Sequence, residues 1–151
     1  MFKKALLTLG VTVSLFAAPF QIDDTIKELT LKDQFEKSHS VKNSTKLIIV
    51  SFEKDPSALV NEFLTNKEKG FAEKHNTLFV GNISKMPWLI SKMFAIPRMK
   101  EYNYNLMLIN DEEDDRFKHK ENKLTVYHLE NKQIKNISFI STEQELTKLF
   151  K

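Results

Sequence analysis

Apolar residues recur along this chain in two rhythms, and together they divide it into strands and helices. KLIIVSF, Lys46 to Phe52, is apolar almost without interruption and rich in branched side chains, the pattern of a strand buried on both faces. TLFVGNI, Thr77 to Ile83, repeats that pattern, and YNLMLIND, Tyr104 to Asp111, reads as another strand. IKELTLKDQFEK alternates instead: Leu29 and Leu31 share one face of a short extended segment, and a charged turn follows from Asp33 to Lys37. KLTVYHL and IKNISFI, separated by ENKQ, make the clearest hairpin.

The helical rhythm sets in directly after KLIIVSF. Leu59, Val60, Phe63 and Leu64 fall at i, i+1, i+4 and i+5, a single apolar stripe. Asp55 is placed to cap this helix, Pro56 to occupy a first position that needs no donor, and Gly70 to end or kink it. KMPWLISKMF, with Pro87 near its start and Pro97 just past its end, predicts a helix of about two turns. In STEQELTKLF, Thr142 and Glu145 form a capping box ahead of a stripe of Leu146, Leu149 and Phe150. The order strand, strand, helix, strand, helix, strand, hairpin, helix predicts an α/β fold, a mixed central β-sheet with helices on both faces.

Length and composition narrow this picture. The 151 residues suit one domain. Lys3 and Lys4, the apolar run ALLTLGVTVSLF, then Ala17 and Ala18 follow the order of a secretory signal peptide. The expectation is a signal peptide over residues 1–18, a single domain over 19–151, and a periplasmic or secreted location. The run Ala5 to Ala18 is 14 residues, short of the roughly 20 that span a bilayer, and no other run approaches that length, so no membrane contact is expected after cleavage. Removing Lys3 and Lys4 leaves 21 basic and 20 acidic residues, so the basic isoelectric point gives no support for nucleic acid. With no cysteine, disulfides, thiolate metal sites and thiol catalysis are all excluded. Three glycines leave no room for a phosphate-cradling loop, and no cofactor is expected.

LTLKDQFEK, KLIIVSFEKDPSALVNEF and KLTVYHLENKQIKNISFISTEQELTKLF carry a resemblance to the thioredoxin-like superfamily, particularly its exported thiol-disulfide and peroxiredoxin-like branches. It covers nearly the whole mature chain and implies a thioredoxin-like sheet. Glu36 stands where that family usually has glycine. In place of its two cysteines the chain has DPSA, Asp55 to Ala58, from which no thiolate can be made. Asn122 and Lys123 stand where the family has a cis-proline before the closing hairpin, and Met99 to Asn122 looks like an insertion or an added strand. The resemblance thus implies the fold and withholds the redox activity.

Several constellations are candidates for chemistry or binding. Asp55 beside Ser57 has the residue types of a base and a nucleophile, but capping and an exposed hydroxyl explain the pair as well. Met86, Met93, Met99 and Met107, with His75, His119 and His128, suggest soft copper ligation; core packing is the simpler account of the methionines. DEEDD, Asp111 to Asp115, lacks the ligand alternation of a calcium loop and reads as a solvated turn. Asn43, Asn82 and Asn136 match the glycosylation pattern, which arises often by chance. Trp88, Leu89, Ile90, Met93 and Phe94 are too many for one face of a short helix, so part of that segment is expected either in the core or docking a partner. The leading expectation is a redox-inactive binding or accessory module, with candidate residues Asp55, Ser57, Trp88, Met93 and Phe94 and another exported protein or a small ligand as partner. Copper handling and a cysteine-free hydrolase are the alternatives.

Overall fold

Long buried runs set the frame. The computed structural model describes residues 18–151, so the expected signal peptide lies outside the described residues except for Ala18. Seven strands, β1 (Thr30–Asp33), β2 (Ser38–Ser40), β3 (Leu47–Ser51), β4 (Thr77–Asn82), β5 (Met107–Ile109), β6 (Leu124–Glu130) and β7 (Gln133–Ile140), form one sheet in the order β2-β1-β5-β4-β3-β6-β7. Buried at every position, β3 runs parallel to β4 and antiparallel to β6. The segment that looked like an insertion supplies β5, which lies parallel to β4 and antiparallel to β1. The α/β class and mixed central sheet therefore match the pattern of the sequence.

Alternation along β3 divides the core. Leu47 and Ile49 enter a cluster with Val60, Phe63 and Leu64 of α1 (Lys54–Thr65), Ala72 of α2 (Phe71–Lys74) and Leu146 of α5 (Glu143–Lys148). Ile48 and Val50 enter the other, with Ile26, Leu29, Met107, Phe117 and Tyr127. The buried residues of the helices thus collect in the first cluster. Extended and loop segments, from Phe20 to Leu29 and around Phe117, close the second.

Turn chemistry fixes the connections. Asp33 is buried at the head of the charged turn, where its Oδ1 accepts the N–H groups of Phe35 (2.8 Å) and Lys37 (3.0 Å) and its Oδ2 meets His39 Nε2 at 2.7 Å. Burial pushes the Asp33 pKa up, but the His39 contact and the two N–H donors outweigh it and hold it below the usual value. Glu36 has φ +63°, so the position where the resemblance places glycine does turn left-handed. Asn131 and Lys132 between β6 and β7 both have positive φ, the geometry of a tight two-residue hairpin. The capping box is formed as expected: Thr142 Oγ1 accepts from Glu145 N at 3.2 Å, and Glu145 Oε2 accepts from Thr142 N at 3.1 Å.

Two expectations are corrected. The residue flanking α1 is Glu53, whose extended backbone (φ −134°, ψ 166°) ends where the helix begins; Asp55 lies inside the first turn and does not cap. Its charge still faces the positive end of the helix, and Pro56, among the first positions without intrahelical donor partners, costs no hydrogen bond. The second correction concerns the helix expected to stop before Pro97. Trp88–Ile90 (α3), a π-helical turn at Ser91–Ala95 and Ile96–Met99 (α4) follow one another with helical backbone angles at each junction. Proline has no N–H for the carbonyl four residues back, here Met93, and its ring crowds that carbonyl. A π-turn, with bonds running five residues, widens the helix just ahead of Pro97 and lets it continue.

Candidate functional site

The parallel strands β3 and β4 finish side by side, with Ser51 paired to Gly81, and the two crossovers leaving them carry Asp55, Ser57, Trp88, Met93 and Phe94. Open sheets of this kind bind at the carboxyl ends of their strands. Here the first crossover begins α1, bringing Ser57 over Ser51: Ser57 Oγ donates to Ser51 Oγ at 3.1 Å, and Ser51 Oγ lies 3.5 Å from the Val80 carbonyl. One turn on, Asn61 Nδ2 donates to the Tyr104 hydroxyl at 2.8 Å. Burial pushes the Tyr104 pKa up to about 12, against the lowering effect of the Asn61 bond, so the phenol keeps its proton at neutral pH.

These groups line a cavity of about 60 Å³ together with Asn82, Met99 and Leu106. Drug-sized ligands occupy about 300–1,000 Å³, so the space suits water rather than a metabolite. Among the described residues no buried side-chain nitrogen or oxygen lacks a hydrogen-bond partner. Two broad grooves of about 890 and 840 Å³ lie elsewhere, one lined by Asn43 to Leu47, His75 and His128 to Asn131, the other along the acidic loop Asp111 to Asp115, and neither includes Asp55, Ser57, Trp88, Met93 or Phe94.

Glu53 was not singled out in the sequence, yet it joins the start of α1 to the loop before β6. Its Oε1 lies 3.0 Å from His119 Nε2, and its Oε2 accepts the Asn122 N–H at 2.5 Å. The His119 ring stacks on Phe52 with centroids 4.5 Å apart and planes at 22°. Asn122 has φ +57°. The stretch where the resemblance expects a cis-proline facing two cysteines is therefore held by a carboxylate clamp.

The catalytic and metal readings find little geometry to support them. Asp55 is exposed, and the Ser57 proton is directed at Ser51. His75 contacts the Phe71 carbonyl (2.8 Å), His128 contacts Ser138 (3.1 Å), and His119 contacts Glu53, so none of these bonds Ser57. Met86 and Met99 pack against the first core cluster, Met107 lies in the second, and Met93 is exposed. The four thioethers are thus spread over both faces of the sheet. Met86 precedes the helix that carries Met93. In the acidic loop, Asp111 accepts from the Glu113 N–H, and Asp114 holds Arg116 through two bonds of 2.8 and 2.7 Å. Among the described residues no cluster of three His, Asp or Glu side chains is arranged to hold a metal ion. Asn82, one of the glycosylation matches, is tied to Ser84 at 2.6 Å.

The second crossover holds the main feature. Trp88 (68% exposed), Leu89 (54%), Ile90 (46%), Met93 (59%) and Phe94 (63%) all face solvent. Ile96 and Met99 turn inward onto the first core cluster with Met86 and Tyr102. A surface helix can bury only one stripe, and here Ile96 and Met99 occupy it, leaving the other apolar side chains outside. Of the two outcomes left open by the sequence for Trp88 to Phe94, the exposed one holds. Met99 also lines the Ser51–Ser57 cavity, so the end of this segment adjoins the start of α1.

No known family model matches the chain, and no curated protein sequence does either. Solved structures do. Peroxidoxin BcpB from Mycobacterium tuberculosis aligns with a TM-score of 0.54 and 15% identity over 85% of this chain and 93% of that one. The thioredoxin domain of a thiol-disulfide oxidoreductase from Bacteroides vulgatus gives 0.52 and 16% over 87% and 99%. A peroxiredoxin-like protein from Aquifex aeolicus gives 0.52 and 6% over 89% and 88%. The chain therefore has the thioredoxin-like fold, with no cysteine in its 151 residues.

Proposed function

We propose that this protein is an exported, redox-silent thioredoxin-like module that works by docking, with the row Trp88, Leu89, Ile90, Met93 and Phe94 as its working face. The observation that carries this is that five of the seven exposed large apolar side chains among the described residues stand together on one crossover, Ile22 and Phe35 being the other two. Full burial of a Leu, Ile, Phe or Met side chain is worth about 1.5–3 kcal/mol, so leaving five of them largely in water is a substantial standing cost unless something covers them. The position supports the reading too, because the row leaves the carboxyl end of β4 beside the N-terminus of α1, where ligands meet folds of this class. The 60 Å³ cavity favours a partner with an extended surface over a small ligand. Asp55 and Ser57 then belong to the rim of the face and perform no bond chemistry. Export is supported by the basic, apolar and small-residue order of the first eighteen residues.

The test is site-specific photo-crosslinking in cells that express the full chain, with a photoreactive phenylalanine at position 88 or 94 and, as control, at exposed Glu143. Adducts at 88 and 94 that are missing at 143 are expected. Equal labelling at all three, or none at 88 and 94, would remove the working face. In parallel, the purified protein should leave dithiothreitol-driven insulin precipitation at the uncatalysed rate.

A further inference from the structure

Resting on that reading, a more specific one follows from the charges around the row: we infer that the outer face of the Trp88–Met99 segment docks on an anionic lipid surface. From Lys85 to Lys100 the chain carries four cations, Lys85, Lys92, Arg98 and Lys100, and no Asp or Glu. All four are exposed, and none forms an ion pair among the described residues. The chain from residue 19 has 21 basic and 20 acidic residues, so the segment concentrates one sign in a nearly neutral protein, with Glu101 directly after it and Asp55 at the rim as the bordering anions. Apolar side chains led by Trp and Phe, bordered by Lys and Arg on a helix held parallel to the protein surface, are what an interfacial helix needs. The apolar side chains enter the boundary between headgroups and acyl chains, and the cations meet lipid phosphates.

The structure adds features that favour lipid over other occupants. Among the described residues no helix is long and apolar enough to cross a membrane, so the segment would lie on a bilayer rather than span it. The absence of membrane contact expected from the sequence rested on spanning length, which has no bearing on this mode. Ile96 and Met99 anchor the segment to the core, so the face is formed in advance and little ordering is needed on contact. Lys92 Nζ sits over the Trp88 ring, 5.0 Å from its centre, so a cation accompanies the largest apolar side chain of the face. Self-association through the same face is opposed, because a two-fold pairing would bring four cations onto four.

The probe is the mature protein with large unilamellar vesicles, either pure phosphatidylcholine or phosphatidylcholine containing phosphatidylglycerol. Co-sedimentation and the emission of Trp88, the only tryptophan, are both read. Sedimentation with the anionic vesicles and a blue shift of Trp88 are expected, both suppressed by high salt and much weaker on phosphatidylcholine alone. A surface cation is worth about fivefold in partitioning, so Lys92→Gln with Arg98→Gln should weaken binding about 25-fold. Trp88→Ala with Phe94→Ala should abolish it while the circular dichroism stays unchanged. Equal affinity for both vesicle types, no binding to either, or binding that survives both double variants would overturn the inference. So would a Trp88 shift produced by an acidic polypeptide but not by vesicles, which would point to an acidic protein instead. Crosslinking to a protein at position 88 with no vesicle binding would end the lipid inference and leave the docking function standing.

Discussion

Replacing Phe94 by Ala and, separately, Phe79 by Ala would separate surface from core within one side-chain type. Phe79 is 0% exposed and Phe94 is 63% exposed. Removing a buried Phe takes away its transfer energy and leaves a cavity, together about 3–5 kcal/mol. For Phe94 only the buried third counts, and a third of the roughly 1.5–3 kcal/mol for full burial is about 0.5–1 kcal/mol. Alanine also forms helix better than phenylalanine by up to about 0.7 kcal/mol, which offsets most of that loss. The expected net change for Phe94→Ala is therefore under about 1 kcal/mol. Urea unfolding followed by far-ultraviolet circular dichroism reads both variants; with a slope of about 1–3 kcal/mol per molar, Phe94→Ala should move the midpoint by less than about 0.3–1 M, depending on the slope. At the same slope Phe79→Ala should move it at least about three times as far, or prevent folding. If Phe94→Ala costs as much as a core phenylalanine, the Trp88–Met99 segment is packed against something in the free protein and the exposed face does not exist.

Other perturbations test the local architecture. Asp33 has a depressed pKa in the fold, so its contribution is present above the unfolded value of about 3.9 and is lost as pH falls through the lower folded value. Asp33→Asn should therefore cost stability at neutral pH and flatten the acid limb of a plot of stability against pH. Glu53→Gln should loosen the loop before β6: the Asn122 amide, now facing a neutral acceptor, should exchange about five- to tenfold faster, since a bond to a charged group is worth about 1–1.5 kcal/mol more than one to a neutral group. Thr142→Ala removes the capping box of α5 and should cost about 0.5–2 kcal/mol in urea unfolding, whereas Thr142→Ser keeps a capping hydroxyl and should retain most of that stability.

Much of this fold could be read from the chain because burial is written in apolar runs. The strands β3, β4, β6 and β7 and the capping box of α5 stand where the pattern places them. Strand β2, Ser38–Ser40, carries no apolar signal; it exists because its backbone pairs with β1, and backbone pairing leaves no mark on residue types. The cap of α1 was misplaced by two residues because Asp is the usual capping type, whereas Glu53 takes the flanking position and sends its carboxylate to His119, 66 residues away. No local rule reaches that distance. Pro97 marked a helix end by the ordinary rule, and the π-turn before it is a compensation that residue preferences do not reveal. At the candidate site, the crowding of apolar residues around Trp88 was visible. Which of them face water depended on Ile96 and Met99 taking the inward stripe, a matter of tertiary packing.

The exposure of Trp88 in the isolated, monomeric protein tests the central claim most directly, because the single indole lies at the start of the proposed face. Acrylamide quenching of its emission, with light scattering to establish the monomer, should give a rate close to that of a free indole and a spectrum typical of water-exposed tryptophan. A blue-shifted emission that resists quenching in the monomer would mean the row is covered by the protein itself, and the docking face would have to be abandoned.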